Sequence, residues 1–361
     1  MADVERPNVR PEVRALPAYR FQAYTAAVKL DQNESPDDLP DELRSLALER
    51  LRSTAWHRYP ELHPDGLAAR LGARHGWPAD GVAVAGGSNV LIQALVVLSG
   101  IGRRVLALSP TFLLYELQAR LLGADFVEVP LGADHAFPVA QVERIVAEGQ
   151  GVAFLPTPLA PTGNAVAAAD LLRVARAAGE GWTIVFDEAY GEFAGVDHDD
   201  IARAHPRVVR LRTLSKAFGL AGARVGYALA EPGLATELRK VVVPFSVSAL
   251  QVAVAEAALD APDVVAARVV RTVAERERLA TALRERGARF VESVANFLLL
   301  TVQDAAATHR ALLAQGVLVR RQDHLPGLAG AIRVSVGRPE ENDAFLRAWD
   351  ALPQALEDPR V

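Results

Sequence analysis

Cysteine is absent from this 361-residue sequence, and methionine occurs once. Without cysteine the chain has no disulfide, no thiolate metal ligand and no cysteine nucleophile. No apolar run reaches the roughly 18 residues that a membrane-spanning helix needs. The N-terminal stretch "MADVERPNVRPEVRALPAYR" is charged and interrupted by proline, unlike the apolar segment of a signal peptide. These absences fit a reducing compartment, and we expect a cytoplasmic protein with no membrane partner.

A large excess of one charge is missing too. The net charge is −5, with 23% charged and 50% hydrophobic residues, which gives no reason to expect nucleic acid or an anionic membrane as a partner. The eight histidines lack the spacing of metal ligands, so no metal site is predicted. The length instead suggests two domains, or one large domain with an appendage.

Lysine is scarce in a chain that has 39 basic residues. It stands only at Lys29, Lys216 and Lys240, and arginine takes nearly every other basic position. Lys216 lies in "RTLSKAFGLAGARVGY", among small residues. Arginine stays protonated, whereas lysine can lose its proton and form a Schiff base with a carbonyl. Lys216 is therefore either a structural charge or the residue that reacts.

Short apolar runs alternate with amphipathic helical patterns from about residue 81 to 230. This alternation predicts an α/β fold with a mostly parallel central sheet and helices on both faces. After about residue 245, two helical stretches, three short strand candidates and a closing helix from about Pro339 predict a smaller α+β domain. We expect an N-terminal arm that forms part of the small domain (1–42), a large domain (43–244) and a small C-terminal domain (245–361).

Two predicted strands end in polar residues. Asp187 ends the apolar run of "TIVFDEAY", and Lys216 follows that of "VVRLRTLSK". Adjacent parallel strands would bring both side chains to the same edge of the sheet, where ligands bind in such folds. A buried carboxylate beside a Schiff-base lysine suits pyridoxal phosphate, whose protonated ring nitrogen needs an acidic partner. A buried Asp–Lys ion pair explains these two residues alone equally well.

A glycine turn in "AGGSNVL" opens a helix at Gly87, Ser88 and Asn89. Backbone N–H groups and the helix dipole make such a turn an anion site suited to phosphate, and a simple helix cap is compatible with the same residues. Arg224, in the glycine-rich "GLAGARVGY", is a further candidate for a phosphate. Neither signal is specific by itself.

Taken together, "SK", "FDEAY", "APTG" and "RVGY" resemble the fold type I, pyridoxal-phosphate-dependent aminotransferases. Within that superfamily, "KLDQNESP", "HRYPE", "PTFLLY", "PFSVS", "NFLLL" and "IRVSVGRPEEND" are similar to the histidinol-phosphate aminotransferases. The resemblance runs from about residue 16 to 350. It implies a homodimer that binds pyridoxal 5'-phosphate and passes an amino group between L-histidinol phosphate and 2-oxoglutarate in histidine biosynthesis.

The resemblance also implies roles for single residues. Lys216 would hold the cofactor and later carry a proton between substrate and cofactor. Asp187 would pair with the ring nitrogen, Tyr190 would donate to the phenolic oxygen of the ring, and Phe112 would stack on the ring.

The remaining implied residues bind phosphate or substrate. The phosphate would be surrounded by Gly87, Ser88, Asn89, Ser215 and Arg224. Tyr59 would reach that phosphate from the other subunit. Arg333 would form a two-bond fork with the substrate carboxylate, and Arg320 and Tyr19 would lie near the phosphate or imidazole end of the substrate.

One position departs from the family pattern. The family usually has asparagine directly before "PTG", where it donates to the phenolic oxygen; here Ala160 stands there. The departure leaves the tuning of the cofactor open. Three alternatives remain beside the preferred function: a broad-specificity or aromatic aminotransferase, an enzyme similar to threonine-phosphate decarboxylase, and a pyridoxal-phosphate-binding regulatory protein with little catalysis.

Overall fold

The computed structural model describes residues 8–16 and 24–353. Tyr19 lies outside these ranges. The strands are β1 (Val28–Leu30), β2 (Val82–Ala85), β3 (Arg104–Ser109), β4 (Asp125–Pro130), β5 (Gly151–Pro156), β6 (Trp182–Asp187), β7 (Val208–Thr213), β8 (Gly226–Leu229), β9 (Arg289–Val291), β10 (Phe297–Thr301), β11 (Val317–Arg321) and β12 (Ala331–Ser335).

Helices connect and cover these strands. They are α1 (Pro11–Ala15), α2 (Asp41–Arg52), α3 (Asp65–Arg74), α4 (Ser88–Ser99), α5 (Leu114–Leu121), α6 (Val139–Val146), α7 (Ala168–Ala177), α8 (Gly191–Ala194), α9 (Asp199–Ala204), α10 (Pro232–Val241), α11 (Ala249–Leu259), α12 (Pro262–Glu285), α13 (Ala305–Ala314) and α14 (Pro339–Asp350). Within residues 8–16 and 24–353, none of them is both long and apolar enough to cross a membrane.

A seven-stranded sheet has the order β2-β8-β7-β6-β5-β3-β4. The pairs β4–β3, β3–β5, β5–β6 and β6–β7 are parallel, and β8 is antiparallel to both of its neighbours. The central strands β5, β6 and β7 are buried along their whole length, which explains why they read as continuous apolar runs. The predicted mostly parallel sheet is confirmed.

Helices pack on both faces of this sheet because successive strand residues point to opposite sides. Val152 belongs to a buried cluster with Leu95 of α4. Its neighbour Ala153 belongs to another cluster with Leu171 of α7. The predicted α/β architecture, with helices on both faces, is therefore confirmed.

A second sheet of five strands has the order β1-β11-β12-β10-β9. Strand β1 from the N-terminal arm pairs in parallel with β11, and the other pairs are antiparallel. Leu30 of β1 shares a buried cluster with Leu298 of β10 and Trp349 of α14. The N-terminal arm and the C-terminal region thus build one sheet, while the domain boundaries at 42/43 and 244/245 stay predictions.

Candidate active site

Strands β6 and β7 are parallel neighbours, and their carboxyl ends meet at one edge of the large sheet. Asp187 is the last residue of β6, and Lys216 follows just past the end of β7. Both line a cavity of about 1290 Å³. The large sheet thus ends in a carboxylate and an amine that face a common space, at the position where parallel α/β sheets bind ligands.

Most of the residues selected from the sequence line the same cavity. They are Ser88, Asn89, Phe112, Asp187, Tyr190, Ser215, Lys216, Arg224, Arg320 and Arg333. The first eight come from the region of the large sheet, whereas Arg320 and Arg333 lie on β11 and β12 of the small sheet. The cavity therefore lies where the two sheets approach each other.

The Asp187 carboxylate is buried and is held by two neutral donors. The Tyr115 hydroxyl donates to Oδ2 at 2.7 Å, and the Ala189 backbone N–H donates to Oδ1 at 3.1 Å. Burial raises the pKa of Asp187 to about 6, although both hydrogen bonds act in the opposite direction. A cation placed beside this carboxylate would favour its charged form, so the site suits a protonated ring nitrogen.

The Lys216 amine donates to the backbone oxygen of Gln32 at 2.9 Å. Desolvation lowers the pKa of Lys216, and the nearby Arg333 guanidinium lowers it further, while Tyr190 acts in the other direction. A lower pKa makes the neutral amine more accessible at physiological pH. Lysine needs that neutral form to attack a carbonyl.

The start of α4 forms a site with the chemistry of a phosphate pocket. Gly87 precedes the helix with φ near +100°, and a Cβ there would lie 2.7 Å from Nη2 of Arg224. Arg224 donates through Nη1 to the Ser215 hydroxyl at 3.3 Å. Among the described residues, no side chain caps α4. Backbone N–H groups, a hydroxyl and a guanidinium thus converge where an anion would bind.

Arg224 itself adopts φ near +56°. Outside glycine this region is uncommon, and such strain tends to persist where function requires it. The Arg224 carbonyl accepts a hydrogen bond from the Gln251 side chain, which holds this conformation.

Arg320 and Arg333 lie directly opposite each other on β11 and β12. Nη2 of Arg333 donates to the backbone oxygen of Asp31 at 3.0 Å, and its guanidinium carbon lies 5.4 Å from the centre of the Phe297 ring. Its Nε is buried and has no partner among residues 8–16 and 24–353. An unsatisfied guanidinium donor at a cavity indicates a carboxylate or phosphate ligand.

Tyr190 and Phe112 supply the aromatic groups of the cavity. The Tyr190 hydroxyl accepts a hydrogen bond from Nδ2 of Asn33 at 3.0 Å, and its ring packs edge-on against Phe297. Phe112 is 42% exposed and meets Tyr115 edge-on, with ring centres 5.8 Å apart. Its exposure leaves ring surface available for stacking.

Sequence reasoning assigned no role to the segment 31–33. Its three consecutive residues contact three candidate site residues: Asp31 accepts from Arg333, Gln32 from Lys216, and Asn33 donates to Tyr190. The available signal was the polar run "DQNES" directly after the apolar end of β1. A polar run beside a strand usually reads as a loop, and only its burial, with Asn33 1% exposed, distinguishes it.

Tyr115 was missed as well, because a buried aromatic residue on a helix usually belongs to the core. Its ring stacks on Phe154 with centres 4.7 Å apart, but its hydroxyl contacts Asp187. No sequence signal separates the two situations.

Three further sequence-selected positions are Tyr59, Ala160 and Tyr19. Tyr59 is 85% exposed and its ring lies 5.2 Å from that of Phe245; it does not line the cavity of its own chain. Ala160 does line the cavity. Asn164, the nearest asparagine in the sequence, donates to the His135 carbonyl at 3.1 Å and does not replace a donor at 160. Tyr19 lies outside the described residues.

A mostly parallel sheet with a lysine, a buried carboxylate and a candidate anion site at its carboxyl edge is the arrangement expected of a fold type I transferase. Comparison with known proteins agrees. Residues 25–348 match the family model of class I and II aminotransferases, and the chain belongs to that family.

Several relatives match almost the full length of the chain. A histidinol-phosphate aminotransferase of Deinococcus radiodurans is 45% identical over 96% of both chains. An aromatic amino acid aminotransferase of Mycobacteroides abscessus is 37% identical over 95% of this chain and 99% of its own. Among solved structures, histidinol-phosphate aminotransferase from Sinorhizobium meliloti in complex with pyridoxal-5'-phosphate superposes with a TM-score of 0.85, at 24% identity over 97% of both chains.

Proposed function

We propose that this aminotransferase uses pyridoxal 5'-phosphate to transfer the amino group of L-histidinol phosphate to 2-oxoglutarate. The observation that carries the proposal is the composition of the cavity. Lys216 and Asp187 line it from the large sheet, while the Arg320–Arg333 pair lines it from the small sheet. The 45% identity to the Deinococcus radiodurans relative over nearly the whole chain supports the choice of substrate.

The residues present fit the cofactor. Lys216 would bind it through its amine, and the buried Asp187 carboxylate would pair with its ring nitrogen. Gly87, Ser88, Ser215 and Arg224 would bind its phosphate, with Asn89 at the edge of the same turn. Phe112 would cover one ring face, and Tyr190 would donate to the ring oxygen. When bound, pyridoxal phosphate supplies an electron sink for the electrons released at the substrate carbon.

The chain contributes the proton transfers and the orientation of the substrate. The Lys216 amine, whose pKa is lowered by burial, would accept a proton from the substrate carbon at Nζ and would donate it to the cofactor carbon. Asp187 would hold the ring nitrogen in its protonated form, because a charged carboxylate stabilises an adjacent cation. The surroundings support both roles, because Asp187 is buried at the sheet edge and desolvation lowers the pKa of Lys216.

The two substrates share a strongly anionic end, although they differ otherwise. L-Histidinol phosphate carries a phosphate and an imidazole, and 2-oxoglutarate carries two carboxylates. A pair of guanidinium groups at Arg320 and Arg333 matches either anion through paired hydrogen bonds. The same pair can therefore serve both halves of the reaction.

A homodimer is part of the proposal, and the exposed aromatic and apolar side chains around Tyr59 support it. Trp56 is 76%, Val243 65% and Phe245 43% exposed, and such patches commonly mark protein–protein contacts. If Tyr59 completes the phosphate site of the partner subunit, cofactor retention and dimerisation are linked by mass action. Dilution to monomer should then release cofactor; a monomer that retains it as tightly as the dimer would remove Tyr59 from the site. The cytoplasmic location stays a prediction.

The test is a coupled assay for glutamate with purified protein, pyridoxal phosphate, L-histidinol phosphate and 2-oxoglutarate. We expect kcat/KM for L-histidinol phosphate to exceed that for phenylalanine or tyrosine. The reverse order would favour an aromatic aminotransferase, the second candidate, which the 37% identical Mycobacteroides abscessus relative supports. Release of CO₂ from threonine phosphate would favour the decarboxylase. A bound cofactor without any turnover would favour the regulatory protein.

A further inference from the structure

Asn33 connects the small sheet to Tyr190 through a short chain of hydrogen bonds. Its Nδ2 donates to the Tyr190 hydroxyl at 3.0 Å. Its Oδ1 accepts from the Ser335 hydroxyl at 3.0 Å, and its backbone N–H donates to the same hydroxyl at 2.8 Å. Asn33 and Ser335 are 1% and 3% exposed. The Asn33 carbonyl also accepts from Asn296 at 3.1 Å.

These contacts determine which end of the Asn33 amide faces Tyr190. The Ser335 oxygen already accepts the Asn33 backbone N–H, so its own proton goes to Asn33 Oδ1. With the amide oxygen engaged, the NH₂ group must face Tyr190. Tyr190 therefore receives a proton at its oxygen, and its own phenolic proton is left for an acceptor in the cavity.

Asparagine also suits the backbone at this position. Asn33 has φ near +52°, a conformation that asparagine and aspartate tolerate better than other residues with a side chain. The backbone conformation and the amide group thus both favour asparagine.

We propose that Asn33 is a positioning residue that directs the phenolic proton of Tyr190 toward the cofactor ring oxygen and strengthens its donation. The inference rests on the proposed function, in which Tyr190 contacts that oxygen. It gains weight from Ala160, which lines the cavity and offers no side-chain donor. A donor that itself accepts a hydrogen bond is polarised and donates more strongly. Asn33 thereby compensates for the missing donor at position 160.

The arrangement has a consequence for coupling between the sheets. Ser335 ends β12, the strand that also carries Arg333, whereas Tyr190 follows β6 of the large sheet. A shift of β12 relative to β6 would disturb both the anion-binding arginine and the support of Tyr190. Asn33 and Ser335 thus connect the strand that carries Arg333 to the Tyr190 hydroxyl.

The readout is the pH at which the absorbance band of the bound cofactor shifts. A donor to the ring oxygen favours its anionic form and lowers that pH. Asn33→Asp keeps the side-chain shape and tolerates the backbone angle. Its carboxylate can only accept hydrogen bonds, so the Tyr190 hydroxyl would donate to it instead of to the ring oxygen. We expect the band pH to rise by about one to two units, the value of one hydrogen bond to a charged group.

The added negative charge of Asn33→Asp also raises the pH at which the absorbance band shifts (the band pH). Measuring the same substitution in the Tyr190→Phe variant separates this charge effect from the loss of the hydrogen bond. In Tyr190→Phe there is no phenolic proton to redirect, so Asn33→Asp should show the charge effect alone and a smaller shift than in the parent. Asn33→Gly removes the amide without adding charge and keeps the backbone angle accessible. It should raise the band pH in the parent and leave it unchanged in Tyr190→Phe.

Ala160→Asn supplies the rescue. The new donor should lower the band pH by about one to two units in the parent and should offset the rise caused by Asn33→Gly. Thermal midpoints measured with saturating cofactor identify variants that fail to fold. If Asn33→Asp does not fold, the band pH of Asn33→Gly tests the positioning role.

Equal shifts in the parent and Tyr190→Phe backgrounds, or no shift for either Asn33 variant, would overturn the positioning role. A parent protein without any cofactor band would instead overturn the proposed function on which it rests.

Discussion

Asp187 and Glu188 are neighbours in the sequence and carry the same charged group, but the fold treats them in opposite ways. Both are buried, at 8% and 1% exposure. Asp187 meets a hydroxyl and a backbone N–H, and its pKa rises to about 6. The pKa of Glu188 is instead held well below its usual range, against the effect of its burial, by His198, Arg212 and Arg210.

The Glu188 carboxylate is saturated by groups of its own chain. Arg212 Nη1 and Arg210 Nη2 lie 2.7 and 2.8 Å from Oε2, and His198 Nδ1 lies 2.9 Å from Oε1. Arg210 also contacts Asp197 and Asp199. These two carboxylates and His75 are close enough to hold a metal ion, but the Arg210 guanidinium already supplies the cation there.

Asp187 and Glu188 differ in where the positive charge beside each carboxylate comes from. A buried charge is costly unless it is paired, and Glu188 has its counter-ions in the folded chain. Asp187 has only neutral donors within the part of the chain that the structure describes. This supports the proposal that a cation of the ligand pairs with Asp187 and that Asp187, not Glu188, serves the active site.

The largest expected effect is a loss of turnover on substitution of Lys216. Lys216→Arg keeps a positive charge but cannot form a covalent bond to the cofactor, so we expect turnover to fall by roughly 10⁴-fold or more. Lys240→Arg, at an exposed lysine of α10, is the matched control and should retain parent activity. Normal turnover of Lys216→Arg would mean that Lys216 is a structural charge, like Glu188.

Glu188→Gln should have the next largest effect, and it should appear in stability. Glu188→Gln takes the shared carboxylate from Arg210 and Arg212, which keep only their contacts with Asp197, Asp199 and Glu192. Removing one partner of a buried charge cluster costs about 3–5 kcal/mol. Urea denaturation of the holoenzyme measures this. Glu49→Gln, at an exposed ion pair with Arg52, should change the unfolding free energy by less than about 1 kcal/mol. Similar values for both variants would remove the distinction drawn for Glu188.

Asp187→Asn should instead lower catalysis and leave the stability of the fold intact. The amide keeps the shape of the side chain but cannot stabilise a cation, so we expect kcat to fall by about 10²–10³-fold while cofactor stays bound through its phosphate contacts. The denaturation midpoint should not fall, because no counter-ion of the chain is left unpaired. Near-normal kcat in this variant would contradict the assignment of Asp187.

The pH dependence of stability gives the smallest of these effects and the most direct view of the two carboxylates. A pKa raised by folding stabilises the folded state below the unfolded pKa, and this contribution is lost as the pH rises through the folded pKa. For Asp187, a rise from 3.8 to about 6 corresponds to roughly 3 kcal/mol at 1.36 kcal/mol per unit. Cofactor-free parent protein should lose about this much relative to Asp187→Asn between about pH 4 and 7.

Glu188 has the opposite sign, since its lowered pKa adds stability that is lost as the pH falls, but both proteins contain it and its contribution cancels. Urea denaturation of the parent and Asp187→Asn at each pH measures the difference. A constant difference across this range would show that burial does not raise the pKa of Asp187. Saturating cofactor should abolish the loss, because the ring nitrogen then supplies the cation.

Much of the fold follows from the sequence because its signals are local. The apolar runs of β5, β6 and β7 are long enough to read as buried strands, and the alternation with helices predicts parallel pairing. The position of Asp187 and Lys216 at one edge then follows from strand adjacency. Strand β1 was harder to place, because its three residues pair with β11, which is distant in the chain.

The sequence by itself determined the classes of chemistry available to this protein: no thiol, three lysines, and polar residues at the ends of two apolar strands. Only the tertiary structure decided how those residues are used. "FDEAY" does not reveal that Arg210 and Arg212 pair with Glu188, whereas Asp187 meets only neutral donors among the described residues. Nor does it reveal that Asn33, just after β1, donates to Tyr190. The reason is physical: the pKa and hydrogen-bonding role of a side chain depend on burial and on nearby charges, and folding brings those neighbours from distant parts of the chain.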